Sequence, residues 1–198
     1  MSVSRRQFLK LSAGSAAVLQ SSSAWAQAAE KVVLPKRKFG RHNDKLSVVG
    51  IGGHTLYMAG SQKEANSIAH RALDLGINFF ENAWTYHKGE AESYMGKALK
   101  GHRDSIFLMS KFCNFRSGNY TSDATGAMKM LEDSLRRLQT DHLDLWMMHN
   151  VCDNDADDAY RKEGAIEALE LAKQQGKIRY AGFTGHTDPK VHRDIIEG

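Results

Sequence analysis

The feature that most constrains this chain is a repeat. From Leu46 onward, short apolar runs alternate with segments of helical periodicity. The runs cover residues 46–51, 78–80, 106–109, 143–148 and 179–183, so successive starts lie 32, 28, 37 and 36 residues apart. A strand, a crossover helix and the return to a parallel strand take about 30 residues. The runs show little alternation, as in a parallel sheet covered on both faces. Helix signals fall between them. Ser61 and Glu64 form a capping box, and Gly76 stops that helix. A second helix covers 91–99. A third covers 123–139, with Asp123 as N-cap and Met128, Leu131, Leu135 and Leu138 on one stripe. A fourth covers 165–175, and a fifth begins near Pro189, a residue suited to a first helical turn.

Two architectures produce such a repeat, an open doubly wound sheet and a (β/α)8 barrel. The open sheet calls for a phosphate-binding glycine loop after the first strand. Gly50-Ile51-Gly52-Gly53-His54-Thr55 ends in threonine where that loop needs glycine, and no acidic residue is clearly placed about 20 residues on. It reads better as a tight turn where backbone approaches a ligand. The barrel calls for polar, reactive residues at the C-terminal ends of several strands, and four of the five runs have them. The expected fold class is therefore α/β, a (β/α)8 TIM barrel with about the first five β/α units. A whole barrel takes about 250 residues, so three further units are expected beyond residue 198.

The N-terminus reads as an address. Ser4-Arg5-Arg6-Gln7-Phe8-Leu9-Lys10 is a twin-arginine pattern, followed by a weakly apolar run and the small-x-small site Ala24-Trp25-Ala26. The expected organisation is a signal peptide at 1–26, a linker or hairpin at 27–45 and a partial barrel at 46–198. Ser12, Gly14 and Ser15 interrupt the apolar run, so stable membrane insertion is not expected. The expected partner is the twin-arginine export machinery, which carries folded proteins, and the expected location is the periplasm. Arg5, Arg6 and Lys10 supply three charges of the formal +4, which leaves about +1 on the mature chain, and nucleic acid is not an implied partner. With 41% hydrophobic and 25% charged residues, the chain is no fibre, disordered tail or membrane bundle.

Reactive residues gather at the strand ends. Glu81-Asn82-Ala83-Trp84-Thr85-Tyr86 follows Phe79-Phe80, Lys111 follows the run at 106–109, and His149 follows Met148. A carboxylate, a phenol, an amine and an imidazole thus meet one rim. Carbonyl reduction needs such a set. Hydride arriving at carbon leaves negative charge on oxygen, which must take a proton. Tyr86 can donate it, but a free phenol titrates near pH 10, and an adjacent ammonium such as Lys111 favours the phenolate. Glu81 holds the lysine, and His149 can hydrogen-bond and polarise the carbonyl oxygen.

In these residues the chain resembles the aldo/keto reductase family. The resemblance runs over nearly all of residues 36–198. It rests on Gly50-Ile51-Gly52-Gly53, the stretch from Glu81 to Tyr86, Glu90-Ala91-Glu92 with Met95-Gly96-Lys97-Ala98-Leu99, and Lys111. It continues through Ser134-Leu135-Arg136-Arg137-Leu138 on to Asp144 and His149, and ends with Gly176 to Thr184. The resemblance implies an NADPH-preferring reductase of a small-molecule carbonyl, with NADH as the alternative cofactor. It places the proton donor on Tyr86, supported by Glu81, Lys111 and His149. Cofactor contacts are expected at Gly53, His54, Glu81, Thr184 and Gly185. Two departures stand out. Glu81-Asn82 replaces the family's aspartate-threonine or aspartate-serine, and Thr184-Gly185 replaces the serine-asparagine that holds the nicotinamide amide, with His186 as a substitute.

Each of these residues also has a blander reading. Lysines are seldom buried without a partner, which favours a role for Lys111. Alone, His149 or Tyr86 would be unremarkable. Trp84 and Trp146 read as core or pocket wall. The acidic run at 153–158 fails as a calcium loop, with Asp158 in the glycine position and Gly164 in that of the bidentate glutamate. The histidines lack metal-ligand spacing, so no metal is expected and a metal-assisted hydrolase has no ligand set. Cys113 and Cys152 follow neighbouring strands; two free thiols are the default reading, and an oxidising compartment would let them pair. The rival function is a catalytically silent barrel that binds a periplasmic ligand or partner.

Overall fold

The computed structural model describes residues 34–113, 123–151, 159–186 and 188–197. The leader read at 1–26, Cys152 and the acidic run lie outside them. Two short strands come first, β1 (Lys36–Lys38) and β2 (Lys45–Ser47), paired antiparallel as a hairpin. Five parallel strands follow in sequence order: β3 (Gly50–Gly52), β4 (Phe79–Glu81), β5 (Phe107–Cys113), β6 (Leu143–Val151) and β7 (Ile178–Gly185). Between and after them run α1 (Gly53–Tyr57), α2 (Gln62–Asp74), α3 (Glu90–Ala98), α4 (Ala124–Leu138), α5 (Ala165–Gln174) and α6 (Pro189–Glu197). Neighbouring strands are consecutive in sequence and each is returned by helix, which is the wiring of a (β/α)8 barrel with five of its units present.

Local chemistry accounts for the helix limits. Ser61 accepts from the Glu64 N–H to open α2, and Asp123 accepts from the Gly126 N–H at 2.7 Å to open α4. The strands obey a period of two. Leu108, Phe112, Trp146 and Met148 face the helices in the main core, whereas Phe107, Met109, Leu145, Met147 and Tyr180 pack together on the opposite face.

Two local expectations change. The run at 46–51 is two strands, because Val48 and Val49 turn outward, about half exposed, between the hairpin and the sheet. The glycine turn is the strand β3 running directly into α1.

The hairpin closes the end where the strands begin. Phe39 packs on Phe107 and Tyr180, and Asp44 accepts from Tyr180 Oη and Arg179. Arg179 and Arg103 both pair with Asp144, which is 2% exposed and also accepts from the Leu108 N–H. Asp44 is held below the usual carboxylate range chiefly by the Tyr180 hydroxyl, with Arg179 adding to it.

Candidate active site

The other end of the sheet carries the reactive groups. β4 stops at Glu81, but its chain keeps pairing with β5: the Asn82 N–H donates to Met109 O at 3.0 Å and the Trp84 N–H to Lys111 O at 2.9 Å. This pairing lays the segment before Tyr86 beside Lys111. Asn82 is fully buried, and Gly53 makes room for it, since a Cβ there would sit 2.1 Å from Asn82 Nδ2. Tyr86 opens a 3₁₀ turn, Tyr86–Gly89, in which His87 and Lys88 take left-handed backbone at φ 49° and 57°.

Lys111 lies inside β5 rather than after it, and the strand runs on to Cys113. Its side chain shares a face with Met109, and its residue is only 6% exposed. The ammonium donates to Glu81 Oε2, to the Asn82 carbonyl at 2.8 Å and to the Tyr86 hydroxyl at 3.2 Å, so each of its three N–H bonds has an acceptor. It also stands 4.8 Å from the Tyr86 ring centroid. The Tyr86 oxygen accepts from lysine, which leaves its own proton to point elsewhere.

His149 stands edge-on to Tyr86, with ring centroids 5.6 Å apart. Its Nδ1 faces Thr85 Oγ1 at 3.5 Å and Cys113 Sγ at 3.9 Å. Burial, then the Lys111 and His186 charges, lower its pKa to about 4, so the imidazole is neutral near pH 7 and has one N–H to donate. Burial pushes the Cys113 thiol up to about 11, which keeps it a thiol.

Four of the expected site residues, Glu81, Tyr86, Lys111 and His149, therefore share one rim. The remaining ones are placed as follows. His54 is exposed on α1, stacked on His87 at 4.5 Å and edge-on to Tyr86 at 5.4 Å. Thr184 Oγ1 accepts from the Asn150 N–H at 2.8 Å. Gly185 packs against His192 of α6, whose Nε2 would lie 2.3 Å from a Cβ there. The charge of His186 bears on His149. Sequence reasoning missed Thr85 and His87. Both flank Tyr86, and that adjacency was the signal available.

Comparison with known proteins gives the family. The model of the aldo/keto reductase family matches residues 48–195. The chain is 36% identical over 168 residues to an uncharacterized oxidoreductase, YqkF, of Bacillus subtilis, covering 82% of this chain and 52% of the relative. It is 33% identical over 152 residues to the methylglyoxal reductase YeaE of Escherichia coli, covering 75% and 50%. Among solved structures, the holo form of aldo-keto reductase AKR11C1 from Bacillus halodurans superposes with a TM-score of 0.71 at 34% identity, over 83% of this chain and 54% of that one. An aldo-keto reductase from Klebsiella pneumoniae in complex with NADPH gives 0.67 at 28% identity, over 83% and 54%. The chain spans about half the length of the curated relatives it matches. Strand order, rim chemistry and the match over residues 48–195 lead to one assignment: this chain belongs to the aldo/keto reductase family.

Proposed function

We propose that this protein reduces the carbonyl of an aldehyde, ketone or keto-sugar, or runs the reverse oxidation, with Tyr86 as proton donor. The observation that carries the proposal is the Lys111 ammonium bonded at once to Glu81, the Asn82 carbonyl and the Tyr86 hydroxyl, beside a neutral His149. A nicotinamide cofactor, NADPH with NADH as the alternative, supplies the hydride when bound. Glu81 suits it: Lys111 takes Oε2, and the bare backbone of Gly52 makes room for the carboxylate, since a Cβ there would stand 3.0 Å from Oε1, the oxygen that would accept from a ribose hydroxyl. Glu81 and Thr184 would hold the nicotinamide end.

In this reading the His149 N–H hydrogen-bonds the substrate oxygen and draws charge onto it. Tyr86 passes its proton to that oxygen as the charge forms, and the ammonium steadies the phenolate left behind. Lys111 stays paired with Glu81 throughout, so the site's charge is set before substrate arrives.

We also propose that the natural protein closes β7 to β3 with further strand-helix units, that residues 1–26 direct export by the twin-arginine route, and that the protein works in the periplasm. The leader pattern and the family's barrel support these readings. The decisive experiment follows nicotinamide absorbance with a panel of carbonyls, using wild type and Tyr86→Phe. Turnover that drops about 10²- to 10⁴-fold in the variant supports the mechanism; equal turnover removes Tyr86 from it. A second reading, a binding barrel without turnover, is favoured by the Thr184 hydroxyl and Gly185 both being engaged within the fold. Cofactor binding with no turnover of any carbonyl would select it.

A further inference from the structure

On the sheet face opposite Lys111, the Glu92–Arg137 ion pair touches chain neighbours of both Tyr86 and Lys111. Glu92 of α3 is fully buried; its Oε1 accepts from Ser110 Oγ at 2.6 Å and its Oε2 from Arg137 Nη1 of α4 at 3.2 Å. Ser110 immediately precedes Lys111 in β5, and strand alternation sends the two side chains to opposite faces. The same Arg137 nitrogen donates to the Trp84 carbonyl at 3.3 Å, and the guanidinium lies 5.3 Å from the Trp84 ring. It also passes Gly89 so closely that a Cβ there would stand 2.3 Å from Arg137 Cζ. Trp84 and Gly89 bracket the turn that carries Tyr86.

That turn needs an external hold. His87 and Lys88 both sit in the left-handed region, which residues with a Cβ occupy only when their surroundings impose it. One guanidinium nitrogen serves both the Glu92 carboxylate and the Trp84 carbonyl, and the planar group adds the contact with the Trp84 ring and the close pass at Gly89, which a lysine ammonium would not supply. The carboxylate must be buried to reach Ser110, and burial raises its pKa, against the pull of the Ser110 hydroxyl and Arg137.

We propose that Glu92 and Arg137 are the positioning residues of this site: they set the spacing of the Tyr86 hydroxyl from the Lys111 ammonium by tying the Trp84–Gly89 turn and β5 to one buried charge pair. Its functional consequence rests on the reading of Tyr86 as proton donor. A purely structural pair makes a different forecast, because replacing a buried ion pair by apolar side chains of similar size is often neutral for stability.

The test uses the full chain with tyrosine ¹³C-labelled at Cζ, and the variants Arg137→Lys, Arg137→Met and the double variant Glu92→Met/Arg137→Met. In wild type, Lys111→Met moves the Tyr86 resonance. In the double variant, which stays folded, that resonance is already displaced and Lys111→Met moves it less than half as far. Turnover falls about 10- to 100-fold with carbonyl KM within about twofold, as a misplacement on the order of 1 Å would give. The loss disappears in a Tyr86→Phe background. Arg137→Lys, which keeps the charge, falls between. A double variant that melts like wild type, keeps the Tyr86 resonance in place and turns over normally overturns the proposal. If wild type reduces no carbonyl, Tyr86's role as donor falls, and the resonance still decides whether the pair positions it.

Discussion

Lys111 Nζ stands 3.2 Å from the Tyr86 hydroxyl, across 25 residues of sequence, because the chain after β4 goes on pairing with β5. The contact is made by backbone register, and both side chains inherit it.

Removing the lysine tests that contact from its charged side. Lys111→Met leaves Glu81 without its partner and the nascent phenolate without its counter-charge. Glu81's side chain is 30% exposed, so water compensates in part. The expected stability loss is about 2 kcal/mol, below the ~3–5 for breaking a fully buried pair. Hydride transfer should fall about 100-fold or more in single-turnover measurements. Unchanged transfer in a folded Lys111→Met protein would take the ammonium out of the chemistry.

His149 gives the pH dependence. Its pKa in the fold, about 4, lies below the ordinary 6.5, through burial first and then the Lys111 and His186 charges. The unfolded chain takes up a proton below pH 6.5 that the folded site does not take until about pH 4. This share of stability is therefore complete above about pH 6.5 and is lost as pH falls toward 4. Urea midpoints should drop across that window in wild type and drop less in His149→Gln. A ring that titrates near 6.5 by NMR would contradict the placement.

How much of this was legible in the sequence depends on whether a signal was local. The repeat is legible because each unit carries its own apolar run, and Ser61 and Asp123 cap two of the helices. The first unit was misjudged because β3 is only three residues long and Val48 and Val49, though apolar, face outward. Glu81, Tyr86, Lys111 and His149 stood out as polar residues closing apolar strands. Glu92 and Arg137 did not, since each sits on an amphipathic helix and looks like a surface charge until α3 and α4 are packed on the same sheet face. The approach of Thr85 to His149, 64 residues away, likewise depends on the register of β4 with β5 and of β5 with β6.

At the closed end, Asp144 tests stability apart from chemistry. It accepts from Arg103, Arg179 and the Leu108 N–H while 2% exposed. Asp144→Ala takes the ion-pair partner from Arg103 and the acceptor from the buried Leu108 N–H, while Arg179 keeps Asp44, and should cost about 2–3 kcal/mol. His149 lies five residues on along the same strand, about 17 Å away, so the folded fraction should keep its affinity for nicotinamide cofactor. Denaturant unfolding and a cofactor titration check the two halves separately, and a variant of wild-type stability would show that the cluster is solvated rather than structural.

Gly185, where the resemblance would place an amide side chain, has no room for a Cβ. A Cβ on it would lie 2.3 Å from His192 Nε2 and 2.9 Å from the Val151 carbonyl. The imidazole can swing aside, but the carbonyl belongs to β6 and cannot. Gly185→Ala should therefore cost about 1–3 kcal/mol, and adding His192→Ala should recover only part of it. The His192 nitrogen is buried without a hydrogen-bond partner among the described residues, so His192→Ala alone loses ring packing but no hydrogen bond. Gly185→Asn, which supplies the amide that the resemblance implies, should not tighten nicotinamide binding while His192 is present. With His192→Ala beside it, affinity should rise above that of the single variant. A neutral Gly185→Ala, or Gly185→Asn that tightens binding with His192 intact, would mean that this position is free for a side chain and that its glycine has another cause.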